Sequence, residues 1–425
     1  MGKFHLPTPT PGKRGHAALC PPYTTSSIPR AELTPSLPLL AGLLAALTAL
    51  GPFSIDTYLP AFQAIGAGLS ASPLEVQQTL TAYMLPFTLM ILWHGPLSDT
   101  LGRRRVILAG LAVFGLASLL CMVATDIHML WLGRGLQGMS SGAGIVVGRA
   151  VIRDLLHGPD AQRMMAHVAV MFALAPAIAP VLGGWIYTGF GWRAVFAFLA
   201  LLGLALFVLS WRYLPETLDE SQRHSLHPVL LGRAYVEVLS SAPFVLLTLA
   251  VGFNFGGFFI YVLSAPVFVM RYLHLGAQEF GWMFLPTVAG MMTGSFLSGR
   301  LAGHLSPGRT VAAGYAVMLA AAALNLAVNR WLPPGLPQSV LPICVYNLGM
   351  ALTMPSLTLM ALDIFPARRG LASSCQSFIQ SALTSLTSAA VVPFFWSAPH
   401  FLAGGMAVYL ILGLVSFQVY RSRRG

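Results

Sequence analysis

The sequence predicts an all-α membrane protein, with twelve membrane-crossing helices in two six-helix bundles around a central cavity. Three observations carry that expectation. Charged residues are 9% of the 425-residue chain and hydrophobic ones 56%, whereas soluble proteins carry roughly 25% charged residues. The apolar residues gather into twelve stretches, each near the about 20 residues that a helix needs to cross a bilayer. Arginine falls mainly between alternate stretches, the pattern that sets orientation in a membrane. So few charges could not cover a soluble surface, which argues against an aqueous enzyme.

Taken in order, residues 1–36 hold seven prolines and no apolar core before Leu37, which predicts a disordered cytoplasmic tail and not a cleaved signal. Apolar segments follow near 37–60, 76–97, 105–125, 128–152, 164–187 and 193–214. They make a first bundle over 37–214. The longest polar connection, 215–241, carries Pro215, Glu216, Asp219, Glu220 and Arg223 and reads as a cytoplasmic linker. Segments near 242–270, 280–301, 310–329, 338–364, 371–394 and 399–420 make a second bundle over 242–420, and 421–425 is a basic cytoplasmic tail. Six segments on each side of a linker suggest a parallel duplication with a site between the halves. The glycine- and alanine-rich stretch 135–148 suits close helix approach in lipid. Prolines inside segments, at Pro86, Pro176, Pro180 and Pro286, are tolerated in a spanning bundle.

The net charge of +11 marks topology and needs no nucleic acid. With residue 1 inside, the inner loops hold Arg103, Arg104, Arg105, Arg153, Arg163, Arg212, Arg223, Arg233, Arg300, Arg309, Arg368, Arg369, Arg421, Arg423 and Arg424, and the outer loops only Arg193, Arg271 and Arg330. Both termini are therefore expected in the cytoplasm. The cysteines Cys20, Cys121, Cys344 and Cys375 stand alone and suggest neither a disulfide framework nor a metal site. A Walker phosphate loop is excluded, because no lysine follows a suitable glycine run. No cofactor is expected.

Asp56 is the most informative single residue. A carboxylate at mid-helix costs about 2.5–3.5 kcal/mol, and the eight leucines of the first segment offset about 2.4–4.8 kcal/mol, so the segment inserts despite the acid. A group so costly is a functional candidate by default, and a carboxyl held out of water suits proton exchange near neutral pH. The alternative is a helix-end acid in the outer headgroup region, which Pro60 keeps open. Arg134, about six residues into the fourth segment, is the clearest intramembrane cation. It would pair with Asp56, bind substrate, or cap carbonyls between helices; Gln137 shares its face. Tyr58, Tyr83, Gln137, Asn254, Tyr261, Tyr346, Asn347 and Gln380 are candidates for the cavity lining, each with ordinary packing as its alternative.

Between the second and third segments the chain reads Gly95-Pro-Leu-Ser-Asp99-Thr-Leu-Gly102-Arg103-Arg104-Arg105. Gly102 permits a tight turn. Asp99, Arg103 and Arg104, with Asp154 as an added partner, would form a charge cluster that holds one conformation and breaks for another. The alternative is that the arginines obey topology alone. Gly138-Met-Ser140-Ser-Gly142 matches a serine-hydrolase pattern, but that motif needs a strand-turn-helix setting, and here it lies inside a spanning segment.

The loop closely resembles the GxxxDxxGRR signature of the major facilitator superfamily. Ser54-Ile-Asp56-Thr-Tyr58-Leu-Pro60-Ala61 is similar to the end of the first helix in the bicyclomycin/chloramphenicol-resistance branch of drug:proton antiporters. Arg134-Gly-Leu-Gln137-Gly138 resembles that family's buried-arginine motif, and Arg153-Asp154-Leu155 its ending of the fourth helix. Ala175-Pro176-Ala-Ile-Ala179-Pro180-Val-Leu-Gly183-Gly184-Trp185 resembles the antiporter motif of the fifth, whose Pro176, Pro180, Gly183 and Gly184 would form a pivot. Gly191-Trp192-Arg193, Leu214-Pro215-Glu216-Thr217, Leu263-Ser264-Ala265-Pro266 and Asp363-Ile-Phe-Pro366 follow in family order. Thr100, Ala179 and Met90-Ile91 depart from the pattern.

The resemblance covers about 37–420 and implies a multi-pass protein of the bacterial inner membrane that exports small amphipathic compounds in exchange for protons by alternating access. The expected partners are a small-molecule substrate, protons and the bilayer, without nucleic acid, and the expected working unit is a monomer. The rival expectations are export of a metabolite such as a sugar, amino acid or siderophore, and more remotely a membrane-embedded serine hydrolase or a sensor that moves nothing.

Overall fold

The computed structural model describes residues 37–156, 158–223 and 228–423. The expected tail 1–36, with Cys20, lies outside the described residues, as do the last two residues. The helices are α1 (Leu37–Asp56), α2 (Phe62–Leu69), α3 (Pro73–Leu101), α4 (Arg103–Met122), α5 (Ile127–Leu155), α6 (Gly158–Phe190) and α7 (Trp192–Tyr213) in the first half. After the linker come α8 (Pro228–Leu239), α9 (Ala242–Leu263), α10 (Gly281–Leu301), α11 (Pro307–Trp331), α12 (Leu341–Leu362), α13 (Arg369–Leu386) and α14 (Pro399–Ser422). Apart from α2 and α8, these are the twelve expected spans. Ten spans are long and apolar enough to cross a membrane on composition alone. The other two, α3 and α5, run 29 residues each and hold most of the polar side chains of the site.

Local chemistry sets the boundaries. Ser72 caps α3: its Oγ accepts from the Glu75 N–H at 3.3 Å, and Glu75 Oε2 accepts from the Ser72 N–H at 2.7 Å, with Pro73 at the first helical position. Asp126 caps α5 by accepting from the Met129 N–H at 2.9 Å. That bond holds the Asp126 carboxyl below its ordinary value. Gly102, with φ of +102°, separates α3 from α4, a conformation that favours glycine.

Three elements differ from the sequence reading. The first span stops at Asp56, and a 3-10 turn (Leu59–Ala61) leads into α2, where Pro60 has no N–H to donate to the Asp56 carbonyl four residues back. The linker contains α8, a short helix with Val238 buried and the Tyr235 hydroxyl donating to the Leu92 carbonyl at 2.8 Å. At 12 residues it is too short to span a bilayer. Helix α14 also continues past 420 to Ser422.

The packing repeats between halves. Helix α1 packs on α5, α6 and α7 as α9 packs on α12, α13 and α14; α3 meets α5 as α10 meets α12; and α4 joins α5 and α7 as α11 joins α12 and α14. This is the parallel duplication that six segments on either side of a linker suggested. The halves touch through α3 with α13 and α6 with α10. Small residues allow the closest approaches: a Cβ on Gly138 would lie 1.9 Å from the Tyr83 carbonyl oxygen, and one on Gly290 2.2 Å from that of Cys344.

Buried charge is confined to one half. Among the described residues, the buried Asp, Glu, Lys and Arg side chains are Asp56, Arg103 and Arg134, all before the linker. The second half buries neutral polar groups instead. Asn254 Nδ2 donates to the Tyr315 hydroxyl at 3.0 Å, the Tyr346 hydroxyl donates to the Asn254 carbonyl at 2.9 Å, and Asn325 Nδ2 donates to the Tyr261 hydroxyl at 2.8 Å.

Candidate functional site

Arg134 is fully buried on α5. Its Nη1 donates to the Ser54 carbonyl at 3.0 Å, the Ser54 hydroxyl at 3.1 Å and Gln137 Oε1 at 2.6 Å. The guanidinium lies 4.3 Å from the ring centre of Tyr58 and 4.5 Å from that of Tyr83, where aromatic faces favour a desolvated cation. Each ring is itself anchored: Tyr58 shares a hydrogen bond with the Thr79 hydroxyl at 2.9 Å, and Tyr83 with that of Ser141 at 2.6 Å. Gln137 Nε2 donates to Ser118 Oγ at 2.7 Å. Arg134, Gln137, Tyr58 and Tyr83 therefore form one cluster. Arg134 Nε and Nη2 have no hydrogen-bond partner among the described residues.

Asp56, the last residue of α1, is 4% exposed, and its Oδ1 has no hydrogen-bond partner among the described residues. No ion pair joins it to Arg134 among the described residues. The reason is helical geometry: Ser54 holds the guanidinium, and a residue two positions further on points to a different face. The first half therefore buries an unpaired carboxyl and an incompletely satisfied guanidinium on neighbouring helices, an arrangement that is expensive in lipid and makes these residues the candidate site.

The charge cluster at the other end of α3 is assembled. Arg103 pairs through Nη1 with Asp99, donates from the same atom to Ser98 Oγ at 2.6 Å, and reaches Asp154 Oδ2 from Nε at 3.1 Å. Gly95 places α3 against Val146 of α5. Arg104 turns away from this cluster and hydrogen-bonds the Trp211 carbonyl, tying α4 to α7. The linker completes the cluster: Glu216 Oε1 accepts from the Arg103 backbone N–H at 2.8 Å, and the Thr217 hydroxyl donates to Asp154 Oδ2 at 2.9 Å. The Leu214–Thr217 motif was the sequence signal for these two residues, but nothing in it shows that they reach back to α4 and α5.

Helix α6 continues through Pro176 and Pro180. A Cβ on Gly183 would lie 1.7 Å from the Thr57 carbonyl oxygen, and one on Gly184 2.1 Å from that of Ala277. The adjacent glycines thus let α6 touch the end of α1 on one side and the opposite half on the other. The other cavity candidates are dispersed. Asn254, Tyr261, Tyr346 and Asn347 are fully buried at helix contacts, with Asn347 Nδ2 donating to the Thr287 carbonyl at 3.2 Å, while Gln380 is half-buried on α13. Ser140 donates to the Leu136 and Gln137 carbonyls of its own helix, at 2.9 and 3.1 Å, so the GxSxG stretch is a helix turn and not a nucleophile elbow.

Hydroxyl pairs join the halves, and no sequence motif signals them. Thr81 and Ser388 share a hydrogen bond of 3.0 Å, Thr88 and Ser385 one of 2.9 Å, and Gln78 Nε2 donates to the Ala389 carbonyl at 3.4 Å.

A duplicated helical bundle with charge buried between its spans defines the class: a multi-pass membrane transporter. The Major Facilitator Superfamily profile matches residues 44–388, and the chain belongs to that superfamily. It is 32% identical over 351 residues to the uncharacterized MFS-type transporter YdgK of Bacillus subtilis, covering 82% of this chain and 87% of that one. It is 31% identical over 257 residues to a bicyclomycin resistance protein homolog of Haemophilus influenzae, covering 60% and 65%. The multidrug resistance protein MdtL of Escherichia coli is 29% identical over 341 residues, covering 80% and 85%. These relatives agree with the branch that the motifs resemble. Among solved structures, a D-xylose–proton symporter matches with a TM-score of 0.70 at 12% identity, over 89% of this chain and 96% of that one. The human organic anion transporter MFSD10 matches with a TM-score of 0.60 at 17% identity, over 89% and 100%. At such identities these two establish the fold.

Proposed function

We propose that the protein exports small amphipathic compounds from the bacterial cytoplasm in exchange for protons, lying in the inner membrane with both termini inside. The observation that carries this reading is the confinement of buried charge to the first half, with Asp56 unpaired beside an incompletely satisfied Arg134. Asp56 takes a proton from outside and releases it inside. Each exchange changes the charge at the end of α1, two residues from the Ser54 groups that hold Arg134, and so biases how α1 sits against α5. The Asp99–Arg103–Asp154 cluster, stapled by Glu216, holds one arrangement of the halves, and the α3–α13 hydroxyl pairs hold the other end shut. A proton crossing 100 mV supplies about 2.3 kcal/mol, enough to drive accumulation without a cofactor. The names of the Haemophilus and Escherichia relatives support a drug-like substrate.

The test is proton-driven exchange in inside-out vesicles. An imposed pH gradient drives uptake of an amphipathic dye by the native chain. Asp56→Asn abolishes this uptake but leaves dye-for-dye exchange intact. Gradient-driven uptake that survives Asp56→Asn overturns the coupling role.

A further inference from the structure

Arg149 has no part in the cluster at Arg134 or in the one at Arg103. It lies on α5 and is exposed. Its direction follows from the helix: residues 142, 146, 149 and 153 share one stripe at intervals of three and four. Gly142 on that stripe packs on His94 of α3, and Val146 packs on Gly95. One turn beyond, Arg153 is also exposed, and its Nη1 lies 3.7 Å from where a Cβ on Gly370 of α13 would be.

Neither arginine has an ion-pair or hydrogen-bond partner among the described residues. Four carboxylates at this end are already taken: Asp99 and Asp154 bind Arg103, Asp363 binds Arg369 at 2.7 Å, and Glu237 binds Arg368 at 2.6 Å. Two like charges one turn apart on a helix destabilise each other, and an anion between them removes that penalty. Both helices run inward from the Arg153–Gly370 contact, so Arg149 stands about 6 Å deeper on α5 and Ser374 about 6 Å deeper on α13. Planar guanidinium groups bind a carboxylate, sulfonate or phosphate through paired hydrogen bonds.

We infer that Arg149 and Arg153 form an anion-binding subsite between the halves, and that the exported compounds include amphipathic acids. The inference deepens the export reading and rests on it. Its test compares dansylglycine with dansylglycine methyl ester, which differ in one negative charge, binding to the full chain in lipid nanodiscs by fluorescence. The native chain binds the acid at least tenfold more tightly than the ester. Arg149→Gln and Arg153→Gln each lose that preference while ester binding, which also reports folding, is unchanged; Arg149→Lys keeps most of it. Failure of the acid to bind, equal binding of acid and ester, or an Arg149→Gln loss that affects both dyes alike overturns the subsite. Proteoliposomes separate the two readings. Preference for the acid without gradient-driven uptake of either dye overturns export and leaves the subsite standing. Uptake of the ester without preference for the acid does the reverse.

Discussion

Arg134 is held by geometry as much as by charge. Its fork reaches Ser54 and Gln137 while two tyrosine rings cover its faces. Lysine keeps the charge but lacks the planar fork and stacks less well. Arg134→Lys is therefore expected to lower gradient-driven dye uptake at least tenfold while the protein still reaches the membrane, as checked by vesicle uptake and immunoblot. At the Tyr83 ring the hydroxyl bond to Ser141 is separable from the stacking. Tyr83→Phe is expected to cost about 1 kcal/mol, measured by thermal unfolding in detergent, with the cation's seat preserved. Asp56 and Arg134 were legible in the sequence because an ionisable residue in an apolar run is conspicuous. That they are neighbours without being a pair was not, since it depends on Ser54 and Asp56 pointing to different faces of one helix.

Among the helices, α6 and the start of α5 give the sharpest expectations. Gly183 leaves no room for a methyl group against the Thr57 carbonyl, whereas Gly189, further along α6, has open space around it. Gly183→Ala should lower the unfolding temperature markedly and Gly189→Ala hardly at all. At the start of α5, the Asp126 carboxyl is held low by the Met129 N–H. A depressed carboxyl contributes stability that is present above its unfolded value and is lost as pH falls through the folded one. The protection factor of the Met129 amide, taken against the intrinsic exchange rate at each pH, should fall as the medium is acidified below the ordinary aspartate range, and Asp126→Asn, which caps without titrating, should flatten that dependence. Hydrophobic length revealed the twelve spans. It missed α2 and α8 because neither is long enough to cross a bilayer, and because Pro60 ends the first α-helix at a point that a leucine-rich run conceals.

The halves of the molecule repeat each other's contacts and meet through pairs of small hydroxyl side chains. Such bonds exchange readily with water, so the seam can part without leaving a charge stranded. The Thr88–Ser385 contact offers a direct check. A Thr88→Cys, Ser385→Cys double variant, oxidised or bridged by a short bifunctional reagent, is expected to stop exchange, and reduction is expected to restore it. Unimpeded exchange in the cross-linked protein would show that α3 and α13 do not separate. The seam could not be foreseen from sequence: its partners lie about three hundred positions apart, and threonine and serine are ordinary residues in any spanning helix. One asymmetry remains in this symmetric scaffold. The interior of the second half carries amides and phenols but no ionisable carboxyl or guanidinium among the described residues. Within the proposed cycle, a transmembrane voltage therefore acts on the charges buried in the first half, and the later six spans serve as the abutment against which that bundle levers.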